Sequence, residues 1–141
     1  MKIIGRIEKI TFLDWDIEDL PAKIDTGAYT SSIHCKHIVE KDGILKFKLL
    51  CPKTENYNNK LIETSKYKTK KIRSSNGERE KRYIVGTFVF FSNKKYKIEL
   101  SLSDRGKMTY PVLIGRRFLN KKFIVDVSIK PAKKIAKKNK S

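Results

Sequence analysis

The residues best suited to chemistry lie in one short segment, Asp25-Thr26-Gly27-Ala28. Asp25 supplies a carboxylate that could activate a water molecule. The Thr26 hydroxyl can fix the loop by a hydrogen bond to a facing backbone group, and Gly27 lets the backbone approach a neighbour closely or adopt a positive φ. Ala28 is small enough to lie beneath a substrate. The segment predicts either a catalytic loop or an ordinary strand-ending turn, in which Asp caps its own backbone.

The elements that must position this loop are short strands separated by regular turns. Asp42-Gly43 and Asn76-Gly77 are strong hairpin signals, and we expect lone Trp15 to pack in the core. Almost no helical periodicity is present, which favours an all-β fold of the barrel or sandwich type. We predict a loop at 13–21, then a short apolar strand that begins at Ala22 and runs into the Asp25 loop, and a short helix at 116–120. The other predicted strands lie at 2–12, 31–39, 44–51, once within 60–73, and at 82–91, 96–103, 110–115 and 122–128.

Composition indicates a single cytoplasmic domain with a strongly basic surface. The 141 residues suit one domain, 1–128, followed by a basic and disordered tail, 129–141. The net charge of +18 favours polyanionic partners such as RNA, a ribosome or an acidic peptide, unless lysine merely fills solvated positions. Two cysteines form no disulfide framework and predict reduced thiols. No apolar run approaches a membrane span, and no signal-peptide segment precedes the first strand.

Four segments follow one another along the chain: Ala22-Lys-Ile-Asp-Thr-Gly-Ala28, Arg73-Ser-Ser-Asn-Gly77, Leu102-Ser-Asp-Arg105 and Leu113-Ile-Gly-Arg-Arg-Phe-Leu119. In this order they resemble the retropepsins, the single-lobe aspartic proteases. The match is closer to a bacterial branch of retropepsin-like proteins often named "ATP-dependent zinc proteases", and it covers roughly residues 3–128. Members of that branch are often encoded beside ATP-grasp ligases that add glutamate to a ribosomal protein.

This resemblance implies a closed retropepsin-like β-barrel lobe with one short C-terminal helix, and an aspartic peptidase or amide hydrolase. One lobe holds one Asp, so the enzyme would act as a homodimer in which Asp25 of each subunit activates a shared water and Thr26 pins the two loops together. The hairpin at Ser74–Glu78 would be a flap that closes over the substrate. Asp25, Thr26 and Gly27 would be catalytic, and the residues implied for substrate binding are Ala28, Arg73, Ser74, Ser75, Asn76, Gly77, Arg105 and Arg116.

Tyr29 departs from the retroviral pattern, in which an acid follows the Ala and pairs with the Arg of the closing Gly-Arg segment. Arg116 must therefore find another partner or remain free to bind substrate. Asp104 is the partner that we predict.

The family label suggests a metal and a nucleotide, and the sequence supports neither. His34, Cys35, His37 and Cys51 offer soft ligands, but their spacing is unlike that of a zinc site, and adjacent strand residues point to opposite faces. No Gly-rich phosphate loop followed by Lys-Ser or Lys-Thr is present. We expect no cofactor.

The substrate class follows from charge. Arginine guanidinium groups in or beside the flap and active-site segments suit the carboxylates of an acidic or glutamate-tailed peptide. The alternative function is a catalytically silent retropepsin-like module bound to the ribosome or RNA, which the basic tail and the run Lys66–Lys71 favour. The arginines concerned are Arg73, Arg79, Arg82, Arg105, Arg116 and Arg117.

Overall fold

The computed structural model describes residues 1–49, 60–73, 77–104 and 110–129 of the chain. In these ranges the only helix has four residues, and no helix is long and apolar enough to cross a membrane. The remaining regular elements are β-strands. In chain order the elements are β1 (Lys2–Ile4), β2 (Ile7–Phe12), β3 (Ile17–Ile24), β4 (Ser31–Lys41), β5 (Ile44–Leu49), β6 (Leu61–Thr64), β7 (Lys68–Arg73), β8 (Arg79–Phe91), β9 (Lys94–Ser103), β10 (Val112–Ile114), α1 (Arg116–Leu119) and β11 (Phe123–Val125).

Six strands close into a barrel in the order β10-β3-β2-β8-β9-β4, and the ring is completed because β10 also pairs with β4. Strand β5 extends the sheet from β4, and β6 follows β5. Closure leaves the six strands without a free edge. The predicted closed β-barrel with one short C-terminal helix is confirmed.

Alternate residues of β8 and β10 contribute to the core of the barrel, whereas β4 and β9 each contain a run of consecutive buried residues. In β8, for example, Val85, Val89 and Phe91 are buried, while Phe88 and Phe90 are exposed. Each fully buried side chain of this size contributes about 1.5–3 kcal/mol. Trp15 is buried as predicted, with its ring stacked 5.0 Å from that of Phe12.

The topology fixes where the loop of Asp25 must lie. Strand β10 runs parallel to β3 and antiparallel to β4, and it lies between them. The loop that joins β3 to β4 therefore passes the carboxyl end of β10, where Gly115 and α1 begin. This arrangement brings the first and last predicted motifs together, although almost ninety residues separate them.

The structure corrects the predicted loop at 13–21. Only residues 13–16 form the turn, and β3 begins at Ile17. Two consecutive exposed residues, Glu18 and Asp19, interrupt the alternation in a bulge at which the β2–β3 register shifts. Asp19 has a φ of 53°, and its N–H donates to Thr11 Oγ1. The bulge and Pro21 together hide the strand's period of two from the sequence.

A second correction concerns residues 60–73, which form two strands rather than one. The Thr64 hydroxyl accepts a hydrogen bond from the Lys66 N–H at 3.0 Å and donates one to the Lys66 carbonyl. A threonine that bonds its own chain two residues on makes a turn. It separates β6, which pairs with β5, from β7, which pairs with β8.

The β7–β8 ribbon extends past the barrel. Strand β7 pairs with β8 from Arg73 opposite Arg79 to Lys68 opposite Ile84, whereas β9 pairs with β8 only from Ile84 onward. The described part of the ribbon before Ile84 is mostly exposed. We call residues 68–73 and 79–83 the arm. Its tip coincides with the predicted flap, of which Ser74, Ser75 and Asn76 lie outside the described residues.

Candidate active site

The loop of Asp25 is held by its own backbone and by β10. The Asp25 N–H donates to the Ile114 carbonyl at 2.8 Å, and Asp25 Oδ1 accepts from the Gly27 N–H at 3.0 Å. The Asp25 carbonyl accepts from the Ala28 N–H. The side chain is half-buried, and within the described part of the chain its second oxygen, Oδ2, accepts no hydrogen bond. One carboxylate oxygen is therefore available for a water molecule or a second acid.

The sequence allowed two roles for Gly27, a positive φ or a close approach of the backbone to a neighbour. Gly27 has no positive φ, so its role is the close approach. A Cβ at position 27 would lie 3.3 Å from Asp25 Oδ1. A side chain there would crowd the oxygen that anchors the turn.

Gly115 is the second glycine that the site requires. A Cβ at this position would lie 2.5 Å from the Thr30 carbonyl oxygen and 2.9 Å from that of Ala28. The absence of a side chain lets the start of α1 lie directly against the loop. The Arg116 and Arg117 N–H groups then donate to the Ala28 and Tyr29 carbonyls at 2.8 and 2.9 Å.

Arg116 braces the loop with its side chain as well. Its Nη1 donates to the Thr26 carbonyl at 2.9 Å, and its guanidinium lies 5.8 Å from the centre of the Tyr29 ring. A guanidinium over a tyrosine ring is a favourable cation–π contact. The aromatic ring thus occupies the place that an acid holds in the retroviral pattern.

The predicted partner of Arg116, Asp104, does not hold it. Among the residues that the structure describes, no ion pair joins the two side chains. Asp104 instead lies near Cys35: burial raises the pKa of the Cys35 thiol to about 12, and the Asp104 carboxylate adds to the rise, against a hydrogen bond with the Ser103 backbone. Asp104 follows β9 directly, which brings it to β4 rather than to the start of α1.

Among the other predicted site residues, Thr26, Arg73 and Gly77 are described by the structure, whereas Arg105 and three residues of the flap are not. Thr26 is exposed, and within the described ranges its hydroxyl makes no hydrogen bond, so the expected bond to a facing backbone is not made inside one subunit. Arg73 ends β7, and Gly77 has a φ of 87°, which suits the tip of a hairpin. Neither is joined to the Asp25 loop by a hydrogen bond between described residues. Arg105, like the serines and the asparagine of the flap, lies outside the described residues.

Ser31 is a structural residue of the site that sequence reasoning missed. Its buried Oγ accepts a hydrogen bond from the Gly115 N–H at 3.0 Å. This bond satisfies a backbone donor at the start of α1, where no side-chain cap is present. The run Thr30-Ser31-Ser32 contained the signal, because a hydroxyl residue in a buried strand usually has a backbone partner.

The soft residues near the site do not gather as a metal centre does. The ring Nδ1 of buried His34 lies 3.2 Å from the Ser103 carbonyl, and His37 is exposed. No three His, Cys, Asp or Glu side chains of the described residues are placed to hold one ion. Cys35 is buried and unbridged, and Cys51 lies outside the described residues.

Comparison with known proteins agrees with this geometry. The family model described as "Retropepsin-like aspartic endopeptidase RimB" matches residues 3–138. A protein of Legionella pneumophila described as having unknown function shares the fold, with a TM-score of 0.72 and 29% identity over 93% of this chain and 97% of that one.

Curated relatives carry a different name. Proteins named "Probable alpha-L-glutamate ligase" are 32% identical over 130 residues in Shewanella pealeana and 30% identical over 135 residues in Desulfotalea psychrophila. The matches cover 89% and 93% of this chain but only 28% and 29% of those proteins. The chain thus spans less than a third of the length of the relatives it matches. On the family model and the shared fold, the chain belongs to the RimB-like family of retropepsin-like aspartic endopeptidases.

Proposed function

We propose that this protein is an aspartic-type hydrolase of peptide or amide bonds that acts as a homodimer in the cytoplasm. The observation that carries the proposal is the Asp25 loop: one carboxylate oxygen is anchored by the Gly27 N–H, the other has no partner among the described residues, and Arg116 holds the loop from behind. A carboxylate fixed in orientation but open on one side suits the activation of water.

Two such carboxylates perform the reaction together. Two acids about 3 Å apart cannot both ionise, so the pair holds one proton. The ionised Asp25 takes a proton from water as the water oxygen bonds to the carbonyl carbon, and the protonated Asp25 of the partner subunit donates its proton to the carbonyl oxygen. The tetrahedral intermediate then collapses: Asp25 gives the proton it took from water to the nitrogen as the C–N bond breaks. The partner's Asp25 takes a proton from one of the two hydroxyl groups, which leaves a carboxylic acid and restores the shared proton of the pair.

An apolar face beside the loop supports the dimer. Strands β1 and β11 form a separate parallel pair, in which Ile3 lies opposite Ile124, and these side chains are 61% and 53% exposed. Met1 and Val127 are also exposed nearby in sequence. A cavity that contains Met1 also borders Thr26, so the apolar face adjoins the catalytic loop. Burial of this face against a second copy would bring the two loops together, and the exposed Thr26 hydroxyl would find its partner there.

The proposed substrate is an acidic peptide, with a glutamate-rich tail as the favoured example. The net charge of +18 attracts such a chain. The names of the curated relatives refer to glutamate ligation, which forms amide bonds of the kind that an aspartic hydrolase would break. The arm would close over the peptide and shield the active site, with its one catalytic water, from bulk solvent.

Hydrolysis assays with an Asp25→Asn variant test the proposal. We expect the wild-type protein to cleave oligoglutamate-tailed peptides faster than matched glutamine peptides, and Asp25→Asn to abolish cleavage. The matched control is Asp42→Asn in the exposed β4–β5 turn, where φ is 53° and Asn is tolerated. Equal cleavage by wild type and Asp25→Asn would refute the proposed role of Asp25.

A catalytically silent RNA- or ribosome-binding module is the second candidate, favoured by the excess of lysine. It predicts RNA affinity that falls steeply with salt and that Asp25→Asn leaves unchanged, with no peptide cleaved by either protein. The hydrolase predicts that the same substitution removes an activity.

A further inference from the structure

A cleft between α1, the arm and the outer face of β9 lies beside the catalytic loop. Its volume is about 350 Å³, at the small end of the range for ligand sites. Thr30, the last residue of the Asp25 loop, forms part of its wall, and Ile84, Ile98 and Phe118 supply apolar surface. We call it the α1 cleft. The roles assigned above to Asp25, Arg116 and the arm do not involve it.

The α1 cleft contains a buried hydroxyl that has no hydrogen-bond partner within the described ranges of the chain. Ser101 lines the cleft with 8% of its surface exposed, and its Oγ makes no hydrogen bond to any described residue. Buried polar groups are nearly always hydrogen-bonded, and an exception needs an explanation. A ligand acceptor that receives the Ser101 hydroxyl is one such explanation.

Positive charge predominates in the lining of the same cleft. Four basic residues and one acid, Glu99, line the cleft. Glu99 is already engaged: Oε2 accepts from Lys68 at 3.1 Å, and Oε1 lies 3.5 Å from Arg117 Nη1. The hydrogen bond from Lys68 lowers the pKa of Glu99, desolvation raises it, and the charges of Lys68, Arg117 and Lys97 lower it further, so Glu99 stays ionised. The four basic residues are Lys70, Lys97, Arg117 and Lys122.

Two of these cations are available to a ligand. Lys122 donates to the Phe118 carbonyl at 3.0 Å, and Arg117 faces Glu99. Lys70 and Lys97, by contrast, form no ion pair with a described residue. Two ammonium groups that form no ion pair among the described residues, together with the Ser101 hydroxyl, are donors suited to an oxyanion, and the apolar wall suits an aliphatic stem beneath it.

We propose that the α1 cleft binds a side-chain carboxylate of an acidic peptide, with the Ser101 hydroxyl and the Lys70 and Lys97 ammonium groups as donors. A glutamate side chain fits this chemistry better than a bare phosphate, because its methylene groups can cover Ile84, Ile98 and Phe118 and because Glu99 repels a dianion more strongly. Through Thr30 the cleft adjoins the Asp25 loop, so a peptide anchored there extends toward the catalytic acid. The inference rests on the proposed function in one respect only, namely that the ligand is a peptide.

Binding without turnover tests the site. Calorimetric titration of acetyl-Glu-Glu-Glu-amide into the full chain carrying Asp25→Asn measures affinity alone. We expect Ser101→Ala and Lys97→Gln each to weaken binding about tenfold, as the loss of a charge-assisted hydrogen bond does. Lys9→Gln, which removes an exposed barrel lysine that does not line the cleft, should leave affinity unchanged. Acetyl-Gln-Gln-Gln-amide should bind at least tenfold more weakly than the glutamate peptide.

Thermal unfolding separates this role from a structural one. Ser101→Ala removes a buried hydroxyl that has no described partner, so we expect unchanged or higher stability together with the loss of affinity. Unaltered peptide affinity in both cleft variants would overturn the inference, as would equal affinity for the glutamine peptide or equal competition by inorganic phosphate. Binding with no cleavage by the wild-type protein would contradict the proposed hydrolase but leave the site intact. Cleavage that is indifferent to Ser101→Ala and Lys97→Gln would contradict the site alone.

Discussion

At the scale of single residues, the candidate site depends on what surrounds Asp25 more than on Asp25 itself. The carboxylate has one anchored oxygen because Gly27 offers an N–H without a side chain that would crowd it. The loop stays against α1 because Gly115 leaves room for two carbonyl groups. The absence of a side chain at Gly27 and at Gly115 thus sets the orientation of the Asp25 carboxylate.

Gly115→Ala should destabilise the protein by about 3 kcal/mol, at the upper end of the usual cost of overpacking. The new Cβ would lie 2.5 Å from the Thr30 carbonyl oxygen, which is backbone and cannot rotate away. Urea unfolding measures the change. Gly86→Ala is the control, because its Cβ would meet only Lys97 Cε at 3.4 Å and the Ile98 carbonyl at 3.9 Å. Equal stability of the two variants would contradict the packing described here.

Cys35 should be chemically inert in the folded protein. Burial raises the pKa of its thiol to about 12, so at pH 8 only about one molecule in 10⁴ carries the reactive thiolate. Peptide mapping after iodoacetamide treatment at pH 8 should find Cys35 unmodified in native protein and modified in urea. Rapid labelling of native Cys35 would show that the thiol is accessible and would contradict the burial described here.

At the scale of elements, the segment β10–α1 is the support of the site. It closes the barrel between β3 and β4, and its two arginine N–H groups bond the loop carbonyls. Phe118 anchors α1 by edge-to-face contacts with Phe91 and Tyr96 at 5.6 and 5.5 Å between ring centres. The helix has only four residues, so this packing rather than helix propensity holds it in place.

Arg116→Gln should lower kcat about tenfold or more, because small misplacements of catalytic groups are costly. The same substitution should destabilise the fold by only about 1 kcal/mol, because the Arg116 side chain is exposed. Arg116→Lys should behave similarly, because an ammonium group lacks the planar fork that bonds Thr26 and covers Tyr29 at once. Peptide cleavage rates test this, with exposed Arg6→Gln as the control. Full activity in Arg116→Gln would show that the loop needs no brace.

The sequence predicted those elements whose local sequence pattern matches their burial and pairing in the fold. The hairpins, the buried Trp15 and the short helix after Gly115 all have local signals, and the order of the motifs indicated the barrel. The sequence predicted the end of β3 from Ala22 but not its first five residues, 17–21, because a bulge at Asp19 breaks their alternation. Nor could it predict the hydrogen bond from Gly115 to Ser31 or the partner of Arg116. Both depend on tertiary placement, and Tyr29 signalled only that the usual acid was missing.

At the scale of the whole molecule, one chain contains one Asp25 loop and an exposed apolar face on β1 and β11. Isolated apolar residues on a surface are ordinary, but Ile3 and Ile124 are exposed on paired strands, and this face is the interface of the proposed dimer. Dimerisation would then create the active site as well as stabilise the fold. Activity should therefore depend on protein concentration below the dissociation constant of the dimer.

Ile124→Lys should convert the dimer to a monomer and abolish cleavage, because a buried unpaired charge at the interface is costly. Val39→Lys is a matched control: Val39 is 54% exposed against 53% for Ile124, but lies on β4 beside β5. Sedimentation equilibrium measures the mass of each variant. A dimeric and active Ile124→Lys protein would exclude this face as the interface.

The central claim, that two chains contribute one Asp25 each to a single site, is tested most directly by mixing wild-type protein with Asp25→Asn. At fixed total concentration and with free exchange of subunits, cleavage should follow the square of the wild-type fraction, so that an equal mixture retains about one quarter of the wild-type rate. Native mass spectrometry of differently tagged chains verifies the exchange. A rate that falls in simple proportion to the wild-type fraction would mean that each subunit works alone, and would contradict the account.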